Sequence, residues 1–186
     1  NGDADGFGTA DIIYGGNVGK WQKFANSLRL KLAMVIADVD PGTAGAKIAA
    51  SAALPLITAN ADNALFKHVG APNNNPLSND VPPRSARQDF VMANTLVDEM
   101  NTLNDPRRAA YFTTVGGEYV GGKYGVSNVY ANFSTFSTKV TATTFPGNML
   151  DASEVNFLLA EAVERGFITG DAKSYYDAAI TASLAY

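Results

Sequence analysis

The longest amphipathic pattern in the chain runs from Lys20 to about Asp38. Its apolar side chains recur every three or four residues, a spacing that places them on one face of an α-helix. They are Trp21, Phe24, Ala25, Leu28, Leu32 and Val35. Asn26 and Ser27 interrupt the predicted helix at its middle, and we expect these polar side chains to bond the backbone of a neighbouring element.

Four further segments carry helical signals. They are Thr43–Ala53, Arg87–Leu103, Asp151–Arg165 and Asp171 through at least Leu184. Asp151 can cap the amide of Glu154 while Glu154 reaches back, and Gly166 supplies a left-handed stop. Because only four residues separate the last two helices, they are predicted to be antiparallel neighbours, and their alanines favour a tetratricopeptide-like pair.

Irregular segments separate these helices. Residues 56–85 contain the run GAPNNNPLSNDVPPR, whose prolines and asparagines predict coil over a packed surface. Between Thr113 and Phe145, glycines separate short β-prone pieces, which predicts a hairpin or a loop. We therefore expect a single, mainly α domain over residues 1–186, built from helical pairs with long irregular loops and a small β-hairpin region.

Composition excludes several classes of function. The chain has 46% hydrophobic and 17% charged residues, which is typical of a folded protein. Its net charge of -4, with scattered basic residues, argues against nucleic-acid binding. With no cysteine and one histidine, the chain offers neither a thiol nucleophile nor a zinc site of several histidines. No catalytic motif is present, and most acidic residues have structural roles, so we expect no enzymatic activity and no cofactor.

The first residues, NGDADGFGTAD, resemble a calcium-binding loop. Asp3 and Asp5 alternate with small residues ahead of Gly6, and Asp11 lies near the end of the loop. Hard cations bind several converging oxygens, but the glutamate expected at the twelfth position is Ile12. A solvated Asp/Gly linker is the favoured interpretation, and calcium binding through Asp3, Asp5 and Asp11 is the alternative.

Aromatic residues are concentrated in one part of the chain, where seven lie between Tyr111 and Phe136. Glycine, serine and asparagine separate them, which predicts that some rings are exposed on loops. Flat rings with polar rims pack well against sugars. Tyr119, Tyr124, Tyr130 and Trp21 are therefore the candidate ligand-binding residues, and packing against the helices is the alternative for any single ring.

Four motifs, in order along the chain, resemble the SusD/RagB family of outer-membrane nutrient-binding lipoproteins. They are GNVGKWQKFANSLRLKLAMVIADVDP, RQDFVMANTLVDEMNTLNDPRRAAYF, YVGGKYG and MLDASEVNFLLAEAVERGFITGDAKSYYDAAITAS. The matched residues that we interpret as fold-defining are Trp21, Asn26, Asp105, Arg107, Glu154 and Glu161. Ligand-contacting residues vary within the family, so the resemblance transfers none of them.

The resemblance implies a function and a location. Members of this family are mostly helical, are anchored at the cell surface through a lipidated N-terminal cysteine, and cover a SusC-like TonB-dependent transporter. They capture oligosaccharides, or peptides in the RagB branch, without catalysis. We accordingly expect an outer-membrane, oligosaccharide-binding fragment that lacks both ends of a longer protein, its anchor included. Peptide or partner-protein docking in a groove along residues 151–186 is the alternative.

Overall fold

The computed structural model describes residues 6–185, which form seven α-helices, two short strands and three 3-10 turns. The helices are α1 (Val18–Val35), α2 (Pro41–Ala52), α3 (Pro76–Asp80), α4 (Asn94–Thr102), α5 (Arg108–Tyr111), α6 (Ala152–Glu164) and α7 (Ala172–Leu184). The strands are β1 (Ala64–Phe66) and β2 (Gly147–Leu150), which pair with each other. Within this range, no helix is both long and apolar enough to cross a membrane.

The described chain divides into two compact units. The helical unit comprises residues 6–66 and 148–185, and the loop unit comprises residues 67–147. The helical unit packs around a core that includes Leu30, Ile48, Ile57, Leu150 and Val155, all fully buried. The expectation that residues 1–186 form a single domain stays a prediction.

Helix α1 is continuous through its polar pair, Asn26 and Ser27, which interrupt only the pattern of apolar residues. It begins at the cap of Asn17, whose side chain accepts a hydrogen bond from the amide of Lys20 at 3.0 Å. Ser27 is fully buried, and its hydroxyl accepts a hydrogen bond from the Ile57 amide at 2.9 Å. The amide group of Asn26 donates to the carbonyl of Pro55 at 3.0 Å. Both side chains therefore bond a neighbouring backbone, as predicted.

The last two helices form the predicted helical pair. Asp151 accepts a hydrogen bond from the Glu154 amide at 2.8 Å, and Asp171 caps α7 in the same way. Gly166 has a φ of +72° and lets the chain leave α6 in a left-handed turn. Glu154 does not reach back to its cap; its carboxylate pairs with Lys31 at 2.7 Å. The tetratricopeptide-like prediction for this region is confirmed.

Two sequence predictions are narrowed by the structure. The helix predicted for Arg87–Leu103 covers only α4, because residues 87–93 are not helical and the backbone of Met92 bonds Gly122 and Ser134 instead. The segment from Thr113 to Phe145, predicted as a hairpin or a loop, is a loop with isolated bridges such as Val115 with Glu118. The small sheet pairs β1 with β2 instead, and these strands are distant in sequence. The mainly α class with long irregular loops is confirmed.

Candidate functional site

The loop unit holds its irregular segments together with a lattice of backbone hydrogen bonds. The extended segment at Met92 lies between two others: its amide donates to the Ser134 carbonyl at 2.8 Å, and its carbonyl accepts from the Gly122 amide at 2.7 Å. The Ser134 amide in turn donates to the Val120 carbonyl at 2.8 Å. These bonds satisfy backbone groups outside any regular sheet. They hold the loops that carry the aromatic residues in defined positions.

Beneath these loops lies a small apolar core. Val97 and Met100 of α4 pack with Phe112, and the partly buried Met92 and Tyr119 pack against this cluster. The core gives the loops a fixed support, so exposed rings on them are presented from a packed base.

Tyr119 is one of the predicted site residues, and its ring is largely engaged inside the protein. It meets Phe112 edge to face at a centroid distance of 6.3 Å. The guanidinium of Arg108 lies 5.3 Å from the ring centroid, a cation–π distance. The carbonyl of Tyr119 also accepts a hydrogen bond from Asn101 at 2.9 Å. Its contacts are those of a packing residue.

Tyr124 is in the opposite situation, with 80% of its surface exposed. The loop beneath it is braced by Asn128, whose side chain accepts from the Lys123 amide at 3.1 Å and donates to the Lys123 and Val126 carbonyls at 3.0 Å. The amide of Tyr124 itself donates to the side chain of Asn94 at 3.3 Å. A large exposed ring thus stands on a loop whose backbone is held by side chains on both sides.

Tyr130 lines a small notch in the same unit. The notch has a volume of about 20 Å³, which is room for one water-sized group such as a hydroxyl. Its other lining residues are Val81, Pro82, Arg87, Phe90, Thr135, Phe136 and Thr141. The combination of ring faces and threonine hydroxyls suits a ligand that is partly apolar and partly hydroxylated.

Among the described residues, Arg87 is the one charged side chain that lines the notch, and two carboxylates neutralise it. Its Nε and Nη2 donate to Asp89 at 3.2 and 2.8 Å, and its Nη1 lies 3.4 Å from Asp80. The hydrogen bond from Arg87 lowers the pKa of Asp89, and the same contact raises the pKa of Arg87. The guanidinium lies 4.9 Å from the centroid of the Phe90 ring. The Nε–Nη2 edge of Arg87, which would bind an anionic ligand, is therefore already bound to Asp89.

Trp21 belongs to the helical unit, and its indole is already engaged there. Its Nε1 donates to the carboxylate of Asp11 at 2.7 Å, and its ring meets Tyr14 and Phe24 edge to face at 5.3 and 5.5 Å. These contacts are those of a fold-defining residue. The notch and the Tyr124 loop consist of loop-unit residues.

Asp11 accepts four hydrogen bonds. Its Oδ1 accepts from the amides of Ile13 and Tyr14 at 3.0 and 3.1 Å, and its Oδ2 accepts from Gly16 at 2.9 Å and from Trp21. Partial desolvation raises its pKa, but the donors outweigh this and lower the pKa to about 2. Asp3 and Asp5 lie outside the described residues, so calcium binding stays a prediction; within residues 6–185 no three acidic or histidine side chains cluster around a potential metal position.

Sequence reasoning missed several residues of this site. The sequence pattern predicted a helix that included Arg87 and Phe90. These residues lie in a loop instead, and the notch that they line was therefore not predicted. Asn94 and Asn128 brace the Tyr124 loop, and the only available signal was that asparagine after a glycine-rich run favours turns. Gly121 is also required here, because a Cβ at that position would lie 2.4 Å from the Cα of Asn94.

A second concave surface lies in the helical unit, between α6 and α7. This groove has a volume of about 480 Å³. It is lined by Phe157, Ala160, Glu161, Glu164, Ala172, Lys173 and Tyr176. Its position and its mostly apolar lining match the groove predicted along residues 151–186.

Comparison with known proteins gives these features a family context. A family model described as "Starch-binding associating with outer membrane", the SusD-like family, matches residues 2–186. A SusD homolog from Bacteroides uniformis is 33% identical with a TM-score of 0.85, over 100% of this chain and 40% of its own. A chitin-binding SusD homolog from Flavobacterium johnsoniae is 31% identical with a TM-score of 0.83, over 99% of this chain and 39% of its own.

A SusD-like protein from Bacteroides thetaiotaomicron is similar to the same extent, with 33% identity and a TM-score of 0.78, over 95% of this chain and 38% of its own. The chain therefore spans about two fifths of the length of these relatives. Among proteins with curated descriptions, none matches the chain.

Proposed function

The chain belongs to the SusD-like family of outer-membrane-associated starch-binding proteins, and from this premise we propose that it binds neutral oligosaccharides without catalysis. The loop unit carries the binding surface, with Tyr124 as a stacking platform and Tyr130 at the edge of the notch. Tyr119 supports that surface from below. Trp21 is left out of the site, because its indole N–H and both ring contacts are used within the helical unit.

The observation that carries this proposal is the exposure of Tyr124 on a braced loop. An aromatic side chain with 80% of its surface in water loses the hydrophobic gain of burial. The three hydrogen bonds of Asn128 nevertheless hold the backbone of the Tyr124 loop in place. An exposed ring on a braced backbone binds a flat ligand face at a reduced entropic cost, because the loop that carries it is already ordered. Sugars offer such a face through their C–H groups.

The charges near the notch favour neutral sugars. Asp80 and Asp89 balance the charge of Arg87, and Asp89 occupies its Nε–Nη2 edge, so a uronate or a sulfate would have to compete with a carboxylate for that edge. The notch accepts a single hydroxyl-sized group, while the rest of the sugar packs on the rings outside it. Two relatives whose names describe them as chitin-binding fit this chemistry, because N-acetylated sugars are uncharged.

The same contacts support a non-catalytic role. Glycoside hydrolysis requires one carboxylic acid kept protonated by a raised pKa near the scissile bond. Asp89 has its pKa lowered by the hydrogen bond from Arg87, so it is ionised at neutral pH and cannot donate a proton. Asp80 is bound to the same guanidinium.

Delivery to a SusC-like TonB-dependent transporter and a place on the outer-membrane surface complete the proposal. Both rest on membership of the family. A transporter gene of that kind directly upstream would support the delivery step.

The test is isothermal titration with chito-oligosaccharides, malto-oligosaccharides and oligouronates of matched length. We expect the neutral sugars to bind and the uronates not to bind. Tyr124→Ala should weaken binding about 2- to 10-fold, because a well-placed aromatic contact contributes roughly 0.5–1.5 kcal/mol and about 1.4 kcal/mol is tenfold. Tyr130→Ala should also weaken it.

Tyr176→Ala is the matched control, since it removes a half-exposed tyrosine from the helical unit and should leave the affinity unchanged. Failure of every sugar to bind would rule out the proposed function. Binding that is indifferent to Tyr124→Ala would remove that ring from the site.

A further inference from the structure

The groove between α6 and α7 has the size and lining of a docking site. Its volume of about 480 Å³ falls within the range of protein ligand sites. Phe157 and Tyr176 contact each other edge to face, at a centroid distance of 5.4 Å, and both line the groove. Both rings are exposed, at 39% and 51%. Ala160 and Ala172 also line the groove, and their small side chains leave room for the side chains of a ligand.

Acidic side chains dominate the rim of this groove. Glu161 pairs with Arg165 at 2.7 Å, and Arg165 also binds Asp38 at 2.6 Å. Lys173 pairs with its neighbour on α7, Asp177. Glu164 forms no ion pair with any described residue. Two carboxylates, Glu161 and Glu164, and one cation, Lys173, therefore line the groove, and among the described residues Glu164 is the lining carboxylate that forms no ion pair.

The charged side chains at the groove interact unfavourably with the dipoles of α6 and α7. Glu161 and Glu164 lie in the last turn of α6, where the helix dipole presents its negative end. Lys173 lies in the first turn of α7, where a cation is disfavoured for the same reason. A cation brought by a partner to Glu164 would relieve the repulsion at the end of α6.

We propose that this groove docks a segment of another protein that is apolar on one face and carries a lysine or arginine. Its apolar side chains pack on the exposed faces of Phe157 and Tyr176, and its cation binds Glu164. This site is separate from the sugar-binding surface of the loop unit and does not depend on it. A second copy of the chain is disfavoured, because an isologous contact would bring two acidic rims together. An anionic lipid surface is disfavoured by the same charge.

The test uses the 186-residue chain and two fluorescently labelled amphipathic peptides that differ only in having lysine or glutamate on the polar face. Anisotropy should show binding of the lysine peptide alone, with affinity that falls as salt is raised. Glu164→Lys should weaken that binding about 3- to 10-fold, since it replaces an attractive charge by a repulsive one. Phe157→Ala should weaken it through the apolar contact.

Glu99→Lys, at an exposed position on α4 in the loop unit, is the matched control and should leave the affinity unchanged. Circular dichroism of each variant checks that the helices are retained. Equal binding of both peptides, binding that ignores Glu164→Lys, or no binding would each overturn the proposal. So would displacement of the peptide by the neutral sugars, or a concentration-dependent dimer in sedimentation that Glu164→Lys alters.

Discussion

Asp11 shows how one side chain organises the turn before α1. Its carboxylate binds three backbone amides and the indole of Trp21. Because Trp21 is joined edge to face to Tyr14 and Phe24, this carboxylate orients an aromatic ladder that packs on the helical core. The residue was a candidate calcium ligand, and its four protein donors show a role in the fold.

This geometry predicts a pH-dependent contribution to stability. The pKa of Asp11 is lowered to about 2 in the folded protein, below its value in the unfolded chain. Its stabilising contribution is therefore fully present above about pH 4 and is lost as the pH falls through about 2. Asp11→Asn cannot satisfy the two donors at Oδ2 and should unfold at lower urea concentration than the natural chain. The difference between them should be largest at neutral pH and shrink toward pH 2.

Urea titrations between pH 2 and pH 7 measure this difference. Trp21→Phe is the comparison variant, because it removes one of the four donors and should show the same trend to a smaller extent. A gap between Asp11→Asn and the natural chain that stays constant over the whole pH range would contradict the assignment.

At the scale of elements, local signals and tertiary contacts compete. The caps of α1, α6 and α7 involve residues two or three positions apart, and the sequence pattern placed each start within two residues of the observed one. Residues 90–93 have helical spacing too, but Met92 bonds both Gly122 and Ser134. Backbone hydrogen bonds to distant loops outweigh the weak local preference for helix.

The Tyr124 loop depends on a close approach of two backbones. Gly121 faces Asn94 so closely that an added Cβ would lie 2.4 Å from its Cα and 2.8 Å from its backbone nitrogen. Gly121→Ala should therefore force the loop away from the start of α4. We expect it to destabilise the protein by about 1–3 kcal/mol, the usual cost of overpacking. It should also weaken sugar binding, because the Asn94 contact that fixes Tyr124 would be lost.

Gly42→Ala is the matched control for this prediction. A Cβ there would lie 3.7 Å from its nearest neighbour, an oxygen of Asp40, which is ordinary contact. Chemical denaturation should show little change for Gly42→Ala. Unchanged stability of Gly121→Ala would show that the loop can shift at no cost, and the bracing of Tyr124 would then be weaker than its contacts indicate.

At the scale of the whole molecule, the two proposed sites belong to different units. A ligand stabilises the elements that it contacts against local opening, which slows the exchange of their backbone amide hydrogens. The rates of hydrogen exchange should therefore show which unit each ligand binds. A saturating neutral oligosaccharide should slow exchange at the hydrogen-bonded amides of Gly122 and Ser134 and leave α6 and α7 unchanged. The lysine peptide should slow exchange in α6 and α7 and leave the amides of Gly122 and Ser134 unchanged. Protection of α6 and α7 by the sugar would contradict both assignments.

The sequence alone determined the helical class, the α6–α7 pair, the family and the stretch of chain that carries the aromatic residues. These features depend on periodicity, caps and motifs, which are read within a few neighbouring residues. Only the tertiary structure decided which rings are available. Tyr119 is covered by Arg108 and Phe112, Trp21 is engaged by Asp11, and Tyr124 remains exposed. The physical reason is that the exposure of a ring depends on partners brought in by folding, which its own spacing along the chain does not specify.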